Sequence, residues 1–248
     1  MPPYSPDPHI FDHSINELQE IMRWISKRDD RRGTRNTYLI GGWAVYSYNP
    51  TLKSVDIDLV TNSKTRSSLI HYLRSERAYQ LHPIGSFTTV SKNTPYGDII
   101  IDFATASEPC KFLGRNEELS FKELKGRSVM RSIGEGHTVL MPERTLLLLF
   151  KLKAMWDRKY RIENDDSCDM EWEQGKLAKD RSDVIALLDP EYGGRDIDLM
   201  YLGEKLSELS FLRDNISRLP EQIDSITRYG KMSQKDVKQL INSLLTII

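Results

Sequence analysis

Leu39-Ile40-Gly41-Gly42-Trp43-Ala44-Val45 places two glycines inside an apolar run, and Val55-Asp56-Ile57-Asp58-Leu59-Val60 then alternates aliphatic and acidic residues. Successive side chains of a strand point to opposite faces. Asp56 and Asp58 therefore project together, while Val55, Ile57 and Leu59 face a core. Like charges side by side on one strand repel, which weakens a purely structural reason for the pair. A divalent cation removes the conflict, because Mg²⁺ takes hard carboxylate oxygens together with substrate phosphates. A third carboxylate comes from Ile99-Ile100-Ile101-Asp102-Phe103, where Asp102 is a lone charge in an apolar strand. Beside Val55–Val60 it would complete a cluster able to hold two metals, one of them activating a hydroxyl nucleophile. Asp98 shares the strand parity but follows Pro95-Tyr96-Gly97 and reads as a turn residue.

The glycines give the aspartates a context. A strand, then Gly41-Gly42, then a helix brings backbone N–H groups and a helix N-terminus to one spot. Glycine lets that backbone approach a phosphate closely. Taken alone, Gly-Gly is a tight turn, and Asp-x-Asp is a charged strand surface or the motif of a sugar-nucleotide glycosyltransferase. In combination they read as two sides of a triphosphate site.

Bulk properties set the class. The chain has 248 residues, 39% hydrophobic and 29% charged, with a formal net charge of −1. That is the composition of a soluble globular protein, and it excludes coating nucleic acid through bulk charge. No apolar run approaches the roughly 20 residues of a membrane helix. The start, MPPYSPDPHIFD, lacks a basic region followed by an apolar core, so it reads as no secretory signal. Cys110 and Cys168 lie far apart without ligand spacing and read as reduced thiols of a cytoplasmic protein. The basic cluster Lys27–Arg35 reads as a solvated face. The five histidines, His9, His13, His71, His82 and His137, form no ligand pattern.

Periodicity predicts a helix from a Ser14 cap to about Lys27, a strand at Tyr38–Ile40, a helix at Trp43–Tyr48 and a strand at Val55–Val60. A helix capped by Ser63 runs to about Arg77. Strand candidates follow near Ser86–Val90, Asp98–Ala104, Arg127–Ile133 and Thr138–Leu140. From Pro142, which suits a helix's first turn, the pattern becomes helical: Leu146–Arg158, Lys176–Leu188, Ile197–Leu209, Leu219–Arg228 and Gln234–Ile247. The acidic stretch Asp165–Gln174 reads as a loop. The expected division is an α/β core over 1–141 and an all-α domain over 142–248, whose helices after Tyr192 carry no visible chemistry.

Apolar-Gly-Gly, a short helix, apolar-Asp-apolar-Asp-apolar and a later apolar-Asp-apolar together resemble the polymerase-β-type nucleotidyltransferase superfamily. Leu149-Phe150-Lys151-Leu152-Lys153-Ala154-Met155-Trp156-Asp157-Arg158 and Lys179-Asp180-x-x-Asp183 resemble paired helices of its minimal members, closest to the AbiEii-like toxin group. The resemblance spans roughly residues 37–189. It implies a metal-dependent enzyme that moves a nucleoside monophosphate from a triphosphate to a hydroxyl and releases pyrophosphate. In it Asp56, Asp58 and Asp102 bind Mg²⁺ or Mn²⁺, and Gly41, Gly42, Lys151, Arg158, Lys179 and Asp180 bind the nucleotide. It also implies a tRNA 3′ end or a protein hydroxyl as acceptor and an antitoxin partner. Lys151 and Arg158 are seven residues apart and share a helix face, so a cation there could meet phosphate oxygens. Rival readings are a sugar-nucleotide glycosyltransferase, which needs no Asp102, and a non-catalytic nucleotide- or RNA-binding module.

Overall fold

A computed structural model of the chain describes residues 5–32, 36–82, 88–134, 136 and 138–248. His137, the end of the basic cluster at Arg35, and Ser86 and Phe87 of one strand candidate lie outside the described residues. Among the described residues the chain divides into two compact units, one of Pro6–Pro109 with Ser120–Glu143 and one of Cys110–Leu119 with Arg144–Ile248. The expected architecture is observed: a mixed α/β unit and an all-helical one.

The α/β unit holds helices α1 (Pro8–Arg32), α2 (Gly41–Tyr48) and α3 (Ser63–Glu76). Its strands are β1 (Tyr38–Ile40), β2 (Ile57–Val60), β3 (Gln80–Leu81), β4 (Val90–Thr94), β5 (Gly97–Ala104), β6 (Ser128–Ser132) and β7 (Thr138–Pro142). They form one sheet in the order β3-β4-β5-β2-β1-β7-β6. β2 pairs parallel with β5 and β1 parallel with β7, and the other pairings are antiparallel. Leu39, Ile57, Ile99 and Ile101 are wholly buried, as the alternation requires.

Three boundaries differ from the sequence reading, each through a hydrogen bond of its own. Helix α1 starts at Pro8, where the Asp7 carboxylate accepts from the His9 N–H at 2.8 Å and serves as the cap. Ser14 lies fully buried inside that helix. Its hydroxyl donates to the Val55 carbonyl at 2.5 Å and accepts from the Trp43 indole N–H at 3.0 Å. The Val55 carbonyl thus bonds to α1, and regular β2 begins only at Ile57. Helix α3 is capped by Asn62, whose side chain accepts from the Thr65 N–H at 2.9 Å, and not by Ser63. Pro142 ends strand β7 and precedes the helical region.

The helical unit contains α4 (Arg144–Glu163), α5 (Met170–Leu188), α6 (Leu199–Glu208), α7 (Phe211–Ser217), α8 (Ile223–Tyr229) and α9 (Gln234–Ile247). Helix α5 starts six residues before the predicted Lys176, at Met170, because Asp169 caps it by accepting from the Trp172 N–H at 2.9 Å. The predicted acidic loop therefore ends early, and Glu173 is a buried helical residue. The stretch predicted as one helix over Leu219–Arg228 is a 3₁₀ turn at Leu219–Glu221 followed by α8, with Pro220 in the turn's first positions. Segment Cys110–Leu119 packs with these helices: Trp156 donates to the Leu113 carbonyl at 2.9 Å, and Asp157 accepts from the Leu113 N–H at 3.0 Å. No helix among the described residues is long and apolar enough to cross a membrane.

Candidate active site

The α/β unit brings Asp58, Asp102 and Gly41 together. Strand register sets Asp58 beside Asp102 on neighbouring parallel strands, with Ile57 beside Ile101 and Leu59 beside Phe103. Adjacent strands lie about 4.8 Å apart, and register partners of a parallel pair share a face. The flanking aliphatics go to the core while Asp58 is half-buried and Asp102 exposed. On its other side Asp58 is the register partner of Ile40, the last residue of β1. Gly41 follows at once and opens helix α2 with φ of +69°.

Gly41 is required here twice over. Its φ lies in the left-handed region that side chains rarely adopt. A Cβ added to it would also stand 1.8 Å from Asp58 Oδ2 and 2.6 Å from Asp58 Cγ. The glycine thus makes room for the carboxylate itself, a reason no local reading could supply. Gly41→Ala is expected to cost about 1–3 kcal/mol of stability for the strained backbone and to displace Asp58. Urea unfolding would measure this, and an unchanged midpoint would refute the steric argument.

Asp56 is placed differently from the sequence expectation. It is a half-buried bend residue just before β2 and not a ladder residue alternating with Asp58. The Ser54 hydroxyl donates to its carbonyl at 3.4 Å, holding the bend. Sequence reading overlooked Thr89, whose hydroxyl donates to Asp102 Oδ1 at 2.7 Å. That bond orients the Asp102 carboxylate on its strand. Only the β4–β5 pairing brings Thr89 there, thirteen residues from Asp102.

The donor chemistry suits a hard divalent cation: carboxylate oxygens, on a rigid sheet, without sulfur or imidazole. The number of donors in place is smaller than the three-aspartate cluster expected. Among the described residues no group of three or more His, Cys, Asp or Glu is arranged to hold a metal ion. The register accounts for a pair, Asp58 and Asp102.

The predicted residues of the helical unit gather into a buried ion network. Lys151 Nζ lies 2.9 Å from Asp180 Oδ1 and 2.7 Å from Asp183 Oδ2. Lys179 meets Asp183 at 2.9 Å, and Arg158 meets Asp180 at 2.7 Å and Glu173 at 3.0 Å. Arg161 also pairs with Glu173. Burial disfavours charging Lys151, yet Asp180 and Asp183 outweigh it and hold its ammonium above the ordinary value. Burial likewise disfavours the Asp180 carboxylate, and Lys151, Arg158 and Lys179 together hold it below the usual range. Lys179 goes the other way: burial and Lys151 push it down more than Asp183 and Asp180 pull it up. Asp183, unremarked as a site residue in the sequence, is wholly buried and is the hub for both lysines.

No family model matches the chain, and no curated protein matches it. Among solved structures it is similar to an antigenic nucleotidyltransferase-like protein from Paracoccidioides brasiliensis, with 16% identity, 71% of this chain and 77% of that chain covered, and a TM-score of 0.43. It is similar also to the antibiotic-resistance factor ANT(2'')-Ia, with 13% identity, 81% of this chain and 97% of that chain covered, and a TM-score of 0.39.

Proposed function

We propose that the protein is a nucleotidyltransferase, moving a nucleoside monophosphate from a triphosphate to a hydroxyl with release of pyrophosphate. The observation that carries this reading is the Asp58–Asp102 pair, set in register across two parallel strands with the Asp58 carboxylate seated on Gly41. Two adjacent carboxylates of one charge are stable together when a cation is shared between them.

In this reading Asp58 and Asp102 would hold Mg²⁺ or Mn²⁺, with Asp56 supplying a further oxygen from the mouth of β2. A divalent cation there supplies Lewis-acid stabilisation of the transferring phosphoryl group and acidifies the acceptor hydroxyl. Gly41 and Gly42 offer close backbone approach and the N-terminal amides of α2 to the outer phosphates. Thr89 fixes the orientation of the Asp102 carboxylate through its hydroxyl. Lys151, Arg158, Lys179 and Asp180 enter as a scaffold: their charges answer one another and those of Asp183 and Glu173, so we assign them to holding α4 against α5 before any contact with nucleotide. The resemblance to AbiEii-like toxins adds an acceptor, a tRNA 3′ end or a protein hydroxyl, and an antitoxin partner as further parts of the proposal.

The deciding experiment incubates the protein with each α-labelled nucleoside triphosphate, Mg²⁺ or Mn²⁺, and either total tRNA or cell extract. Label moving onto macromolecule supports transfer. Triphosphate binding with no labelled acceptor would favour a binding module instead. Thr89→Val, which removes one hydrogen bond to a charged group, is expected to lower the transfer rate about tenfold while leaving the unfolding midpoint nearly unchanged. An equal rate would remove Thr89 from the site.

A further inference from the structure

The helical unit contains a cavity of about 120 Å³ between α4, α5 and α7, well above the roughly 10–15 Å³ that a single water needs. Lys159, Arg181 and Arg218 line it, with Glu221 as the acidic group in the lining and Leu177 as apolar floor. Asn215 lines it too, is 7% exposed, and has a buried side-chain Nδ2 with no hydrogen-bond partner among the described residues. Buried amide donors are nearly always satisfied, so an unpaired one beside a cavity points to an acceptor that belongs there.

The cations point the same way. Among the described residues the Arg181 and Arg218 side chains make no hydrogen bond or ion pair within 4 Å, and Lys159 reaches only Glu163, at 3.6 Å on the surface. Burial pushes the Arg181 guanidinium below its ordinary value, against the opposite pull of Asp224. Elsewhere in this unit the buried cations have partners: Lys151 meets Asp180 and Asp183, Lys179 meets Asp183, and Arg144 donates to the Leu187 and Tyr192 carbonyls. Here one carboxylate, Glu221, stands in the lining, while Glu163 answers Lys159 from the surface and Asp224 acts on Arg181 without an ion pair. A guanidinium fork binds phosphate oxygens two at a time, and a donor-rich lining wants a ligand made of acceptors.

We propose that this cavity is a binding site for a phosphate dianion, either inorganic phosphate or the phosphate of a monoester. A dianion offers acceptors to the two guanidinium groups and to the Asn215 amide, which make no hydrogen bond within the described residues. The site is built wholly from the helical unit and does not depend on nucleotidyl transfer by the α/β unit.

Isothermal titration of the whole protein, without divalent metal and against sodium chloride of matched ionic strength, tests this with two probes, inorganic phosphate and AMP. Saturable binding is expected, weakened about tenfold in Arg181→Gln and in Arg218→Gln and unchanged in Asp58→Asn. Equal affinity for the two probes would identify free phosphate as the ligand, and tighter binding of AMP would identify a monoester. Arg218 is exposed, so its variant decides the matter if Arg181→Gln does not fold. No saturable binding beyond chloride, or binding that survives both arginine substitutions, overturns the proposal. Phosphate binding that is lost in Asp58→Asn and kept in the arginine variants also overturns it, by placing the anion in the α/β unit.

Discussion

Asp58→Asn is expected to lower nucleotidyl transfer about a thousandfold while the protein remains folded. Loss of one charged ligand removes several kcal/mol of transition-state stabilisation, and each 1.36 kcal/mol is about tenfold in rate. Asparagine keeps the size of the side chain, so the close packing against Gly41 survives and the substitution tests charge and not shape. Asp58 is the right target because it is constrained on both sides: by register with Asp102 on β5 and by the close approach of Gly41, which opens α2. The same assay with label on tRNA or protein reads the rate, and urea unfolding confirms that the sheet is intact. Removing repulsion from the pair without a metal present should leave stability equal or slightly raised. A variant that retains wild-type transfer would sink both the metal assignment and the proposed function.

The largest expected effect on stability comes from Lys151→Met, at about 3–5 kcal/mol. The substitution is close in volume, but it strips a buried ammonium from Asp180 and Asp183, whose side chains are 7% and 0% exposed. Asp183 Oδ1 already lacks a hydrogen-bond partner among the described residues, so that carboxylate has little reserve. The sign with pH follows from the two shifts. Asp180 is held below its ordinary value in the fold, so its contribution is present above about pH 4 and fades as pH falls through the depressed value. Lys151 is held above its ordinary value, so its contribution is full below about pH 10 and is lost as pH rises further. Wild type and variant should therefore differ by a constant amount through neutral pH, and the difference should begin to shrink below about pH 4. Urea midpoints from pH 3 to pH 8 check this. A Lys151→Met protein as stable as wild type would show that the network is not what holds α4 to α5.

The candidate site was legible in the sequence to the extent that its chemistry is local. Gly41-Gly42 between an apolar run and a helix, and the alternation through Ile57-Asp58-Leu59, follow from backbone sterics and strand periodicity, which act over a few residues. The single charge in Ile99–Phe103 marked Asp102 in the same way. What local pattern could not reach was Asp56, drawn out of the ladder because the Val55 carbonyl bonds to Ser14, a residue forty-one positions earlier. Thr89 was equally hidden, since a threonine in an unremarkable stretch acquires its partner only when β4 pairs with β5.

The helical unit divides along the same line. Helix α9 was readable because burial of one apolar face imposes a 3.6-residue repeat, and α4 because its continuous apolar run, Leu146–Phe150, is followed by a polar helical stretch. The start of α5 was not, because Glu173 looks like a loop residue until Arg158 and Arg161 neutralise it from α4. By itself, then, the sequence determined the fold class, the turn at Gly41 and the acidic strands, since each depends on the conformational preferences of neighbouring residues. Only the tertiary structure decided that Asp58 faces Asp102, that Lys151 is answered by Asp183, and that three cations surround a cavity beside Asn215. Those facts are relations between side chains distant in the chain, and charge acts through space without regard to sequence separation.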